Sequence, residues 1–314
     1  MPQTFFTTAD GDIILRASSE SGSGHDFRVH RFILGLASPV FKDMFSLPQP
    51  PAQDQTEEQK PPIVDVTDPP EVLDAILRFV YPGVDLPKFT TLSFVSASLS
   101  TVDKYDLASM RTVLRDSLRT FLPRDSFEVY TIACRFGFLE EAKVAAMVST
   151  PRSTITRDYK KEIQYLSGED LSRFLRFVLL REDAGRSTIR SFLGASSEGI
   201  GNDLGDEDDE HWDQAKGFYL HLTKAAEDAF AHNPCLELKD MLVALDKIPD
   251  PPHGCEPWSD PAEYCYETDC DSAFSCPLQP MFIRRIVTGL VQELKDLNLA
   301  MLEEVFGEEP EVGR

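Results

Sequence analysis

The densest group of chemically capable side chains in this 314-residue chain is His253, Cys255, Cys265, Cys270 and Cys276, with His232 and Cys235 upstream. Thiolates and imidazoles are the ligands of tetrahedral zinc, and the four residues between Cys265 and Cys270 suit a ligand pair. A zinc ribbon repeats such a short pair twice, whereas here nine residues separate Cys255 from Cys265 and five separate Cys270 from Cys276. The acids Glu256, Asp260, Glu263, Glu267, Asp269 and Asp271 crowd the same stretch, and negative neighbours raise a thiol's pKa instead of favouring the thiolate. The group therefore reads as thiols in a loop with no resident metal. A zinc-stabilised domain is the alternative, and zinc-dependent hydrolysis with Asp269 or Asp271 as base is a variant of it.

Elsewhere the residues for catalysis do not assemble. The chain has no Gly-x-Ser-x-Gly elbow, no Gly-x-x-x-x-Gly-Lys-Ser/Thr phosphate cradle, no Gly-x-Gly-x-x-Gly after a strand and no His-Glu-x-x-His. The expectation is a non-enzyme with no cofactor and no small-molecule substrate. With 53 acidic and 31 basic residues the formal charge is −22, a field that repels phosphate and argues against nucleic acid and anionic membranes as partners. No apolar run approaches the roughly 18 residues of a membrane span, and Met1 to Asp12 lacks a secretion-signal pattern. The expected location is cytoplasmic or nuclear, where six cysteines are thiols or ligands before they are disulfides.

The elements that could position a site are legible at the N-terminus. Asp12-Ile13-Ile14-Leu15-Arg16 and Phe27-Arg28-Val29-His30-Arg31 flank a turn-forming Ser19 to Gly24, which predicts two short strands. Ser38-Pro39 divides the following apolar run into two helices, with Ser38 as N-cap and Pro39 in the first turn. Residues 47–62 are polar between prolines and read as a flexible insertion. Ile63 to Val66 alternates as a strand. Asp68-Pro69-Pro70-Glu71 then opens a helix, with Asp68 as cap and Pro69 in the first turn, and Tyr81-Pro82-Gly83 stops it. Helical spacing runs on from Leu92 to Leu118, pauses at Pro123, and returns on both sides of Gly137 and again after Gly168. Residues 186–211, with glycines and the run Asp206 to Glu210, read as an acidic linker. Residues 212–314 are mostly helical around a Cys/Pro-rich loop, 249–280, with Asn233-Pro234 opening one of their helices.

Phe27-Arg28-Val29-His30-Arg31, Leu34, Ala37-Ser38-Pro39-Val40-Phe41 and Met44-Phe45 resemble the signature of the BTB/POZ domain, a protein-interaction module. Lys104-Tyr105-Asp106 extends the likeness. The insertion, Tyr81-Pro82 and Tyr130-Thr131-Ile132-Ala133 with Phe136-Gly137 are similar to BTB proteins abundant in mushroom-forming fungi. The resemblance implies an α+β domain over 1–118, a helical region like the BACK segment over 119–185, and function by assembly with a protein partner or with itself. It places partner contacts at Asp12, His30, Arg31, Phe41 and Phe45, although Asp12 and His30 also suit satisfying buried backbone and each other. Ile33, Leu36, Val40, Phe41 and Phe45 are expected chiefly in the internal core. Relatives that recruit a cullin scaffold for ubiquitin transfer carry an acid shortly after the second helix. Met44-Phe45-Ser46-Leu47-Pro48-Gln49 has none, which leaves a ligase adaptor as the alternative reading.

Overall fold

A computed structural model describes residue 6 and residues 10–18, 25–47, 61–150, 164–204, 209–245 and 280–307; for 197–204, 209–216, 245 and 280–283 only the backbone course is given. The chain forms two compact units, one of residues up to Leu122 with Phe136–Glu141, the other of Pro123–Arg135 and the residues from Ala142 onward.

The first unit contains a three-stranded sheet of order β2-β1-β3, with β1 (Ile13–Ala17) antiparallel to β2 (His25–Val29) and parallel to β3 (Ile63–Val66). Alternation decides its faces: Ile13, Leu15, Ala17, Phe27, Val29 and Val66 are buried, while Arg16 and Asp26 pair across the opposite face at 2.7 Å. Between β2 and β3 run α1 (Arg31–Ala37) and α2 (Pro39–Ser46). Their break falls at Ser38 as the sequence predicts, since its hydroxyl accepts the Phe41 N–H at 3.0 Å and Pro39 needs no acceptor. The Ser38 hydroxyl also donates to the Tyr105 carbonyl at 2.5 Å, tying this corner to the later helices.

After β3 come α3 (Pro70–Val80), α4 (Leu92–Lys104) and α5 (Ala108–Ser117) with a short 3₁₀ turn, Leu118–Phe121. α3 buries Val72, Leu73, Ala75, Ile76 and Leu77 on one stripe. Its start differs from expectation. Pro69 is the N-cap and Pro70 the first-turn proline, while Asp68 turns away to bond with α4. The apolar spacing from Leu92 to Leu118 is likewise two helices, because Asp106 takes a left-handed φ of 51° between them.

The second unit is helical: α6 (Ser126–Arg135), most of α7 (Leu139–Val148), α8 (Gly168–Leu204), α9 (Asp209–His232), α10 (Leu238–Leu245) and α11 (Pro280–Phe306). The joint at Gly137 has φ +71°, a conformation that glycine adopts without the Cβ penalty. Ile189, Leu193, Phe218, Tyr219, Leu222, Phe230, Leu290 and Leu294 share one core, with α8 packed along both α9 and α11. The linker expected from residue 186 is corrected here, since α8 continues as helix to Leu204. Gly185 beside that stretch serves packing and not flexibility, because a Cβ there would lie 2.1 Å from the Phe230 ring. Asn233-Pro234 does not open α10 either. The Asn233 side chain accepts from the Cys235 N–H at 3.1 Å in a local turn, and Asp240 accepts from the Glu237 N–H at the helix start. No described helix is long and apolar enough to cross a membrane.

Candidate functional site

Of the five residues singled out by resemblance, Asp12, His30 and Arg31 fall around the junction of β2 and α1, and Phe41 and Phe45 fall on α2. Asp12 is exposed, and its carboxylate accepts the Arg31 N–H at 2.9 Å, holding the first turn of α1. His30 pairs not with Asp12 but with Tyr81 and Asp10. Its backbone N–H donates to the Tyr81 hydroxyl at 2.7 Å, its Nδ1 lies 3.2 Å from that oxygen, and its Nε2 lies 3.5 Å from an Asp10 carboxylate oxygen. Half-burial and these neighbouring acids push the Tyr81 hydroxyl's pKa above its ordinary value. Arg31 has a buried Nε–H with no acceptor among the described residues.

Phe41 is fully buried and stacked on Tyr105 at 4.2 Å, and half-buried Phe45 stacks on it at 5.8 Å. Outward-facing apolar side chains lie instead one turn apart on α1, where Phe32 is 74 % exposed and Leu36 73 % exposed, with Val40 next in line on α2. Sequence reasoning assigned Leu36 to the core and passed over Phe32, because a seven-residue helix with five apolar side chains has too little polar patterning to show which face is wet.

What makes this surface rigid lies behind it. Asp68 is a buried carboxylate that accepts from Tyr105 OH at 2.6 Å, Lys104 Nζ at 2.7 Å and Thr101 Oγ1 at 3.0 Å. These three bonds offset the cost of burying a charge. Burial first, and then the Asp68 carboxylate, push the Tyr105 hydroxyl's pKa far above the tyrosine range. α5 is held in a similar way by Arg111, Arg115 and Arg119, spaced one turn apart. Arg111 donates to Asp103 and to the Phe136 carbonyl at 2.6 Å, and Glu141, almost wholly buried, sits 3.7 Å from Arg115 and 3.4 Å from Arg119.

In the second unit the polar centre is Arg181, whose buried guanidinium donates to the carbonyls of Ala146 at 3.3 Å, Met147 and Ser149 at the end of α7. Burial lowers its pKa to about 10. Cys235 donates to the Met147 carbonyl at 3.5 Å, and its thiol pKa is raised by burial, an effect that nearby Arg181 opposes. Cys235 is partly exposed, and among the described residues its thiol bonds only to that carbonyl. His232 bonds through Nδ1 to the Asp228 carbonyl at 2.7 Å. His253, Cys255, Cys265, Cys270 and Cys276 lie outside the described residues. Among the described residues no three His, Cys, Asp or Glu side chains are placed to hold a metal.

A small mixed sheet packed with α1 to α5 is thus the architecture of the first unit. Residues 7–122 match the family described as the BTB/POZ domain, a protein-interaction module, so the chain carries a BTB/POZ domain at its N-terminus followed by a helical region. Mouse (Mus musculus) TD and POZ domain-containing protein 1 is 33 % identical over 96 residues, covering 31 % of this chain and 24 % of the relative. TD and POZ domain-containing protein 5 from the same organism is 31 % identical over 97 residues, covering 31 % and 26 %. The chain thus spans about a quarter of the length of the curated relatives it matches.

Proposed function

We propose that this protein acts by assembly, and that its BTB/POZ domain pairs with a second copy of itself through α1. The observation that carries this reading is the outward pair Phe32 and Leu36 on successive turns. A two-fold axis across α1 lays Phe32 of one copy against Leu36 of the other, the self-complementary arrangement of a two-fold interface. Charge favours the same face. In a chain of −22, the stretch from Arg31 to Phe41 carries no acid at all, so two copies meet where their repulsion is least.

Burying one Phe and one Leu per copy contributes about 6–12 kcal/mol at roughly 1.5–3 kcal/mol per side chain. Association itself costs about 4–15 kcal/mol. The two ranges overlap, and their most favourable difference, about 8 kcal/mol, corresponds to micromolar binding, so the pair is a reversible dimer of micromolar strength at most and not an obligate one. Light scattering on a sizing column with the full chain at about 200 μM is expected to give twice the chain mass, and Leu36→Asp is expected to return it to one. A wild-type chain that stays monomeric at that concentration sets self-pairing aside.

A further inference from the structure

We infer that pairing through α1, the reading on which this inference rests, is made selective by two reciprocal ion pairs, Lys42 of each copy with Asp43 of the other, so that the chain recognises a second copy of itself. From Arg31 to Leu47 the only acid is Asp43, and the only cations are Arg31 and Lys42. Lys42 and Asp43 are both exposed, and neither side chain has an ion pair or a hydrogen bond with another described residue. It is the Asp43 carbonyl, not its carboxylate, that accepts from Ser46 Oγ at 2.7 Å. Nor do the two serve each other within one copy, because consecutive residues of a helix project about 100° apart.

Gly35 sets where the lysine emerges. It lies three residues after Phe32 and next to Leu36, on the same side of α1, and a Cβ built on it would touch the Lys42 Cα and Cβ at 3.6 Å and Cγ at 3.9 Å. The stem of Lys42 therefore runs past α1 at the level of the apolar pair, in space that glycine leaves open, and carries the ammonium to the rim of that face. Asp43, three residues after exposed Val40, shares the side of α2 that continues the patch. A two-fold axis that lays Phe32 on Leu36 of the second copy passes close to Gly35 in both chains. It brings two Lys42 ammonium groups to one contact, where unneutralised cations repel. Asp43 of the opposite chain is the acid of the patch that meets each of them, and the exchange is reciprocal, as a two-fold interface requires. Exposed ion pairs add only modestly to affinity, so these act on the choice of partner: an apolar helix face with another charge order leaves both cations and both acids unmatched.

Charge reversal tests the pairs, read by sedimentation equilibrium of the full-length protein. Lys42→Glu and Asp43→Lys are each expected to weaken self-association at least fivefold, since one substitution acts twice in a symmetric pair. The double variant Lys42→Glu/Asp43→Lys, with both signs exchanged, is expected to return to within twofold of wild type. An equal mixture of the two single variants is expected to form a heterodimer at least fivefold tighter than either variant's own pair. Lys88→Glu, the same change of net charge placed in the connection between α3 and α4, is expected to leave association unchanged. A wild-type chain that does not associate overturns the α1 reading and this inference with it. A wild-type dimer that Leu36→Asp breaks, but that both single reversals leave intact, overturns the ion pairs and leaves α1 pairing standing, and so does a mixture with no preference for the heterodimer. Both positions are exposed, and circular dichroism verifies that each variant folds.

Discussion

Removing the Asp68 carboxylate tests whether the docking domain is held by one buried charge. In Asp68→Ala the three donors fare differently. Lys104, with 42 % of its side chain in water, keeps its bond to Thr67 at 3.0 Å and loses about 0–1 kcal/mol. Thr101 keeps its bond to the Ala97 carbonyl at 3.2 Å and loses little. Tyr105 is buried and is left with an unpaired hydroxyl, a loss of roughly 1–3 kcal/mol. The sum is about 1–4 kcal/mol, which lowers the protection of α4 amides by roughly 5- to 900-fold in native-state hydrogen exchange. That assay suits a chain of two units, where a single unfolding midpoint is not well defined. Because Tyr105 carries most of the loss, Asp68→Ala made on a Tyr105→Phe background is expected to cost at least 1 kcal/mol less than on the wild type. A cost of the same size on both backgrounds refutes the assignment, as does a change of less than threefold from the single substitution.

Two further outcomes follow from packing and titration. Gly185→Ala places a methyl group 2.1 Å from the Phe230 ring and is expected to destabilise the second unit by about 1–3 kcal/mol, whereas Gly194→Ala, whose added Cβ meets no described atom beyond its own turn of helix within 4 Å, stabilises α8 by up to about 1 kcal/mol; exchange of α8 and α9 amides reads both. Tyr81 and Tyr105 have pKa values raised by burial, so their stabilisation is complete below the ordinary tyrosine value near pH 10 and is lost as pH climbs from there toward the folded values. Exchange-derived stability of the first unit, corrected for the intrinsic rate, is expected to fall above about pH 10, and Tyr105→Phe to fall less steeply; identical slopes count against the mechanism.

The hairpin and the two helices after it were legible because their signals are local. The turn residues lie between two alternating runs, and Ser38-Pro39 marks a helix start by its own chemistry. Asp68 was misread for the complementary reason. Asp-Pro-Pro-Glu is a sound local cap, but the donors that claim this carboxylate lie 33 to 37 residues further on, and no local pattern announces them. The linker reading met helix as far as Leu204 because glycine inside a helix and glycine in a flexible segment are the same letter. Asp12, His30 and Arg31 lie together at the corner between β2 and α1, where the Asp12 carboxylate accepts the Arg31 N–H. The side chains facing solvent there, Phe32 and Leu36, depend on which way a seven-residue helix is rolled, and that is decided by packing.

Arg181 ties the inventory of acids to the interior. A guanidinium sealed among carbonyl oxygens keeps its full positive charge with no carboxylate bonded to it, and local dipoles supply only part of what water would. Burial works against that charge, and its sequence neighbour Glu182 favours it through space, so the cation is steadied by an acid beside it on the same helix. Replacing Glu182 by a neutral residue would therefore weaken the hold on Arg181, and adding salt would act in the same direction.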